Sequence, residues 1–114
     1  MISREHRFVG RTSLKYVYKN GRVVRGSYFS IRYAPNARCQ SYRAAVVVSR
    51  KISKSAVKRN RIRRRIYAVI GKLEAQIVAP YDIVVTVFKE STSDLPPADL
   101  EKQVKSQLKS ARVL

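Results

Sequence analysis

The sequence predicts an α/β sandwich: a four-stranded mixed sheet with three helices, in the order α-β-β-β-α-β-α, as a single domain over residues 1–114. Three observations predict it. Two apolar runs, Arg43 to Ser49 and Asp82 to Phe88, are strand-length and apolar on both faces. Between them Ile52 to Ile77 carries helical periodicity, which makes a strand–helix–strand crossover. The chain has 114 residues, 45% of them hydrophobic, enough to bury one core without disulfides or metals.

The elements follow in order. Thr12 or Ser13 can cap a first helix, and Leu14, Val17 and Tyr18 recur at helical spacing until Gly21 stops it. Arg22 to Arg25 is a short strand and Gly26-Ser27 a turn. Tyr28 to Ala34 alternates, with Phe29, Ile31 and Tyr33 on one side and Tyr28, Ser30 and Arg32 on the other, the period of a half-buried strand. A polar loop from Pro35-Asn36 to Gln40-Ser41 leads to the Arg43 run, which suits a central strand. In the long helix Ile62, Ile66, Val69, Ile70, Leu73 and Ile77 form one stripe, Lys54, Lys58, Arg61 and Arg65 lie on an adjoining face, and Gly71 is a candidate break or kink. The Asp82 strand, apolar through Phe88, is followed by a loop from Lys89 to Pro97. Leu100, Val104, Leu108 and Ala111 mark the last helix, with Pro97 in its first turn.

Charge sets the partner class. Lys and Arg number 25 against 7 Asp and Glu, a formal net charge of +18. Such an excess repels itself unless counter-charge arrives from outside, and nucleic acid supplies it most densely. From His6 to Leu73 there is no acid, while 19 Lys and Arg fall in that span. A lone cysteine, Cys39, and a charged N-terminus without an apolar run point to the cytoplasm, and no apolar stretch is long enough for a membrane helix.

The segment Arg50 to Ile66 concentrates 9 basic residues: Arg50, Lys51, Lys54, Lys58, Arg59, Arg61, Arg63, Arg64 and Arg65. Arginine forks grip paired phosphate oxygens and stack on bases. Repeated along a helix every 5–6 Å or so, they track a single nucleic-acid backbone. Asn60 among them suits a base edge, a ribose hydroxyl or a metal-bound water. A basic helix is often only a solvated face, or a membrane-surface helix. The density of Arg, the absence of acid and the apolar stripe needed by the sheet weigh against both.

Catalytic groups are missing from the pattern. His6 is the only histidine, the acids are few and scattered, Cys39 has no clustered partners, and there is no phosphate-binding glycine loop. Bond cleavage is therefore expected from the partner, with no catalytic residue and no firmly bound metal in this chain. A helix-turn-helix pair is absent too, so DNA is not the expected target.

Ala56 to Ile70, AVKRNRIRRRIYAVI, resembles the Arg-Asn-Arg signature of the bacterial ribonuclease P protein component. The correspondence comprises Arg50-Lys51, Ala56-Val57, Arg59-Asn60-Arg61 and Arg63-Arg64, with weaker support from Arg7-Phe8, from Leu14, Tyr18 and Gly21, and from Tyr81 to Val85. The resemblance implies an α/β fold with an uncommon left-handed crossover, against the usual right-handed rule. It implies a catalytic RNA partner that uses magnesium to remove the 5′ leader of precursor transfer RNA, while the protein binds that RNA and the leader. It places Arg59, Asn60, Arg61, Arg63 and Arg64 against RNA, and Leu14, Tyr18 and Arg32 beside a leader cleft. Independently of the resemblance, Tyr28 is a further stacking candidate, since single-stranded nucleic acid is held by a basic groove with aromatic side chains. Leu14 stands where the family often has Phe, so Tyr18 is the better stacking residue. The alternative is a basic ribosomal or other structural RNA-binding protein, for which the Arg59-Asn60-Arg61 spacing has no evident reason.

Overall fold

The structure, a computed structural model, describes residues 11–36, 42–77 and 80–113. His6, Arg7, Phe8 and Cys39 lie outside them, as does the side chain of Leu14. Helix α1 spans Arg11–Asn20, strand β1 Arg22–Arg25, β2 Phe29–Pro35, β3 Arg43–Val47, helix α2 Ala56–Leu73, strand β4 Tyr81–Val87 and helix α3 Pro97–Ser110. Short 3-10 turns occupy Glu74–Gln76 and Glu90–Asp94. The predicted order holds.

The sheet runs β1-β2-β4-β3. β1 and β2 are antiparallel, β2 and β4 antiparallel, and β3 and β4 parallel, so α2 joins two adjacent parallel strands. The run at Arg43 is thus an edge strand, and β4 is the central one. The expectation of a central strand fails because burial on both faces does not require two neighbours. Helices cover β3 from both sides, and the Tyr67 hydroxyl accepts from the Val46 amide at 3.1 Å.

The main core lies between the sheet and α2 with α3. Ile62, Ile66, Ile70, Leu100, Val104 and Leu108 from the helices meet Phe29, Ile31, Ala44, Ile83, Val85 and Val87 from the strands, all nearly solvent-free. The predicted apolar stripes of both helices are the buried ones. On the other face Val17 of α1 packs on Ala34, Ala45 and Val84. Gly21 ends α1 with its amide 2.7 Å from the Val17 carbonyl. A β-carbon there would sit 2.4 Å from that oxygen and 2.9 Å from the Tyr33 carbonyl, so only glycine lets α1 descend so closely onto β2.

Several boundaries differ from expectation. α2 starts at Ala56 rather than Ile52, because the Ser49 carbonyl accepts from the amides of Ile52 and Ser53 and closes a turn first. Ser55 then caps the helix, its hydroxyl accepting from the Lys58 amide at 3.2 Å. Arg50, Lys51 and Lys54 therefore stand on the loop before the helix, not on it. Gly71 neither ends nor breaks α2; the helix passes through it to Leu73 and gives way to the 3-10 turn at Glu74. β2 begins at Phe29, leaving Tyr28 in a bend, β3 stops at Val47, and β4 stops at Val87, so Phe88 is 42% exposed instead of core.

Candidate nucleic-acid interface

The acids decide which cations remain free. Asp82 is buried and holds Arg43 through two bonds of 2.9 Å, with Asn36 donating to the same carboxylate at 2.9 Å. Glu74 accepts from the Tyr42 hydroxyl. That hydroxyl is pushed well above its ordinary range by burial, with the Glu74 charge adding to the effect. Glu101 pairs with Lys72, and Asp99 lies in the first turn of α3, where the helix dipole favours it. Among the described residues only Glu90 and Asp94 come near the start of α2, and both belong to the 3-10 turn beside it.

That turn divides the basic residues of α2 into two sets. Lys58, Arg61 and Arg65 recur at helical spacing and face it. Lys58 Nζ lies 3.1 Å from Glu90 Oε1, and Arg61 Nε donates to the Ser93 carbonyl at 3.1 Å. Arg65 Nη1 donates to the carbonyls of Thr92 and Ser93, and its Nη2 donates to that of Leu95. Burial, then the neighbouring Arg61 charge, lowers the Arg65 pKa from its ordinary value, while Asp94 opposes the shift. The Glu90 carboxyl is held below its ordinary range, chiefly by hydrogen bonds from Lys58 and Ser53.

The second set faces outward. Arg64 is exposed and makes no hydrogen bond or ion pair among the described residues, and the same is true of Arg50, Lys51 and Lys54 on the loop before the helix. Arg59 folds back to the Ser53 carbonyl at 2.8 Å, tying that loop to the first turn of α2. Arg63 donates to Asn60 Oδ1, which fixes the side-chain amide with its NH2 free to donate. Val57, 78% exposed, lines a shallow depression with Asn60, Arg61 and Arg64. An apolar residue so placed gives a ribose or base something to rest on between phosphate contacts. The sequence showed Val57 as part of the motif but gave no sign of this exposure.

A metal ion does not fit this surface alone. Asn60 offers one neutral oxygen, already engaged by Arg63, with Arg61 and Arg64 beside it. A hydrated cation would need phosphate oxygens brought by RNA. Among the described residues no group of three or more His, Cys, Asp or Glu side chains could hold a metal.

The α1 face of the sheet supplies a second surface. Register places Arg25, Ser30, Thr86 and Val47 in one row across the four strands, and Val23, Arg32, Val84 and Ala45 in the next. α1 covers Val84 and Ala45 through Val17 but leaves the first row half open. Tyr18, 42% exposed, borders the opening with the Arg32 guanidinium 5.3 Å from its ring centre. Thr86 Oγ1 is buried there without a hydrogen-bond partner. Sequence reasoning singled out Tyr18 and Arg32, which the fold brings together. It missed Arg25 and Thr86, whose role depends on a register that only pairing reveals. Tyr28 goes elsewhere: it packs beside the main core with Lys89 over its ring.

A mixed sheet with an arginine-rich helix and an aromatic-edged, basic groove defines an RNA-binding α/β protein. Residues 2–112 match the Ribonuclease P family, and the chain belongs to it. It is 36% identical over 87 residues to the ribonuclease P protein component of Pseudanabaena sp., covering 76% of this chain and 75% of that one. Against the component of Chloroflexus aurantiacus it is 31% identical over 113 residues, covering 99% and 82%. Among solved structures, a Staphylococcus aureus RNase P protein mutant with defective mRNA degradation activity superposes with a TM-score of 0.86 at 25% identity, over 96% of this chain and 90% of that one. The Thermotoga maritima RNase P protein shares the fold, with a TM-score of 0.81 at 22% identity over 91% and 96%. The chain is a protein subunit of ribonuclease P, an RNA-partnered endoribonuclease of transfer RNA processing, rather than a ribosomal protein. No helix among the described residues is long and apolar enough to cross a membrane.

Proposed function

We propose that the chain, acting as one domain, binds the catalytic RNA through the outward cations of α2 and the loop before it, and holds the 5′ leader of precursor transfer RNA in the groove beside α1. The RNA and its magnesium break the bond; the protein positions the substrate and raises affinity for precursor over product. The observation that carries this is the division of α2. Lys58, Arg61 and Arg65 are spent on the adjoining turn, while Arg50, Lys51, Lys54 and Arg64 have no partner among the described residues. Asn60 and Arg63 are locked in place among them. Cations without a protein partner have no intramolecular bond to give up when phosphates arrive, so the cost is only that of ordering each side chain, about 0.5–1.5 kcal/mol.

The test is a titration of the catalytic RNA with the full chain at two salt concentrations. With roughly 6–10 phosphate contacts, affinity falls about 10³-fold or more between 50 and 200 mM salt on duplex-like RNA, and somewhat less on single strands. A flat response would remove the electrostatic basis of the mechanism.

A further inference from the structure

β4 is parallel to β3, which leads into α2, so the Tyr81 end of β4 lies at the end of the sheet away from the first turn of α2. The seven residues of β4 put the two ends about 20 Å apart. At this far end Tyr33 and Tyr81 meet edge to face, their ring centres 6.3 Å apart and their planes at 67°. Both rings are only half-buried. Arg22 from β1 and Arg112 from the end of α3 flank them, and with Asn20 and Ser110 they line a cavity of about 630 Å³. That volume is in the range of small-ligand sites, and no acid among the described residues lines it. Both tyrosines pack against the main core, so the cavity belongs neither to the α2 surface nor to the α1 groove.

Arg112 provides an independent observation. Its φ is 61°, the one left-handed non-glycine residue among those described. The Val113 amide bonds to the Leu108 carbonyl and the Arg112 amide to that of Lys109, both at 3.0 Å. This is the Schellman ending of a helix, with Arg112 at the position that favours glycine. A side chain kept where the backbone prefers none points to use of that side chain.

We propose that the cavity takes one unpaired nucleotide of the partner RNA, its base against the Tyr33–Tyr81 pair and its phosphate between Arg22 and Arg112. It is a second RNA contact, separate from α2, and it rests on the family's RNA partner rather than on the role given to Arg64. Cations beside half-exposed aromatic rings are the chemistry that holds single-stranded nucleotides.

The informative variant is Arg112→Gly in the full chain, because it removes the guanidinium while giving the helix end its preferred residue. Its melting temperature stays equal or rises, while its affinity for the catalytic RNA falls several-fold. Combined with Tyr81→Leu the loss reaches about tenfold or more. Adenosine monophosphate, used as a free-nucleotide probe, perturbs the Tyr33 and Tyr81 resonances and is displaced by the catalytic RNA. Unchanged RNA affinity in both variants would overturn the proposal, as would nucleotide binding that the RNA fails to displace. Loss of affinity in Arg64→Ala alongside none in Arg112→Gly would overturn it while leaving the role of α2 intact.

Discussion

Arg65 Nη1 lies 2.8 Å from the carbonyl oxygen of Ser93, while Arg64, its immediate neighbour, extends into solvent. Two adjacent arginines in one basic run thus have different tasks. The 3-10 turn at Glu90–Asp94 leaves carbonyls without partners in its own turn, and the planar fork of Arg65 satisfies those of Thr92, Ser93 and Leu95 together. In turn the helix end that carries Asn60 and Arg64 is braced against the segment that precedes α3.

Exchange of these two residues therefore separates stability from binding. Arg65→Ala leaves carbonyls unpaired and costs about 2–3 kcal/mol in urea unfolding, since hydrogen bonds from a charged donor are worth about 1.5–3 kcal/mol. Arg64→Ala changes stability by no more than about 0.5 kcal/mol. It weakens binding to the catalytic RNA, measured at fixed salt. Equal effects of the two variants on stability would contradict the division of α2 into structural and RNA-facing sets.

The Lys58–Glu90 contact gives a pH dependence. Because the folded state holds the Glu90 carboxyl below its ordinary 4.5, the ionised form is the one the fold favours. Its contribution is present above the ordinary carboxylate range and is lost as pH falls through the folded value. Glu90→Gln is then less stable than the unaltered chain at neutral pH, and the gap closes in acid once the pH has fallen through and below the ordinary carboxylate range. Denaturation curves of both proteins across that range check the sign. The pair is exposed, so the gap is small and shrinks further in high salt.

Tyr18 and Arg32 are the residues that a leader strand would meet on the α1 face. Tyr18→Ala lowers affinity for precursor with a 5′ leader by about tenfold, in line with the loss of one stacked base, and leaves affinity for mature transfer RNA unchanged. Competition between leader-bearing and leaderless substrates on the assembled enzyme measures the ratio directly. An equal loss for both substrates would remove the leader from this groove.

Much of this architecture was legible because one-dimensional periodicity reports burial. Ile62, Ile66 and Ile70 had to share a face, and so did Leu100, Val104 and Leu108; each set is the buried face of its helix. The motif likewise announced itself by composition. What the sequence could not resolve was competition among local hydrogen bonds. Whether Ile52 or Ala56 opens α2 depends on the Ser49 carbonyl and the Ser55 cap, and helical periodicity is silent about both. Long-range pairing was hidden as well. β3 looked central because Ala44 and Ala45 are buried on opposite faces, yet its second edge meets the Tyr67 hydroxyl instead of a strand. Nor did the reading of Arg61 and Arg65 as RNA contacts foresee the hydrogen bonds that their side chains donate to the carbonyls of Ser93 and Leu95. Tyr28 was placed on the groove side by strict alternation, and the bend at Ser27-Tyr28 sends it to the opposite core.

The most direct measurement is reconstitution on a precursor transfer RNA bearing a 5′ leader, with the purified chain alone, the catalytic RNA alone, and the two together at limiting magnesium. The chain alone leaves the precursor intact, the RNA alone cleaves it slowly, and the pair cleaves it fast, with Arg63→Ala plus Arg64→Ala abolishing most of the gain. Cleavage by the chain without RNA, or no gain on mixing the two, would contradict a protein whose fixed cations serve a bond broken by its partner.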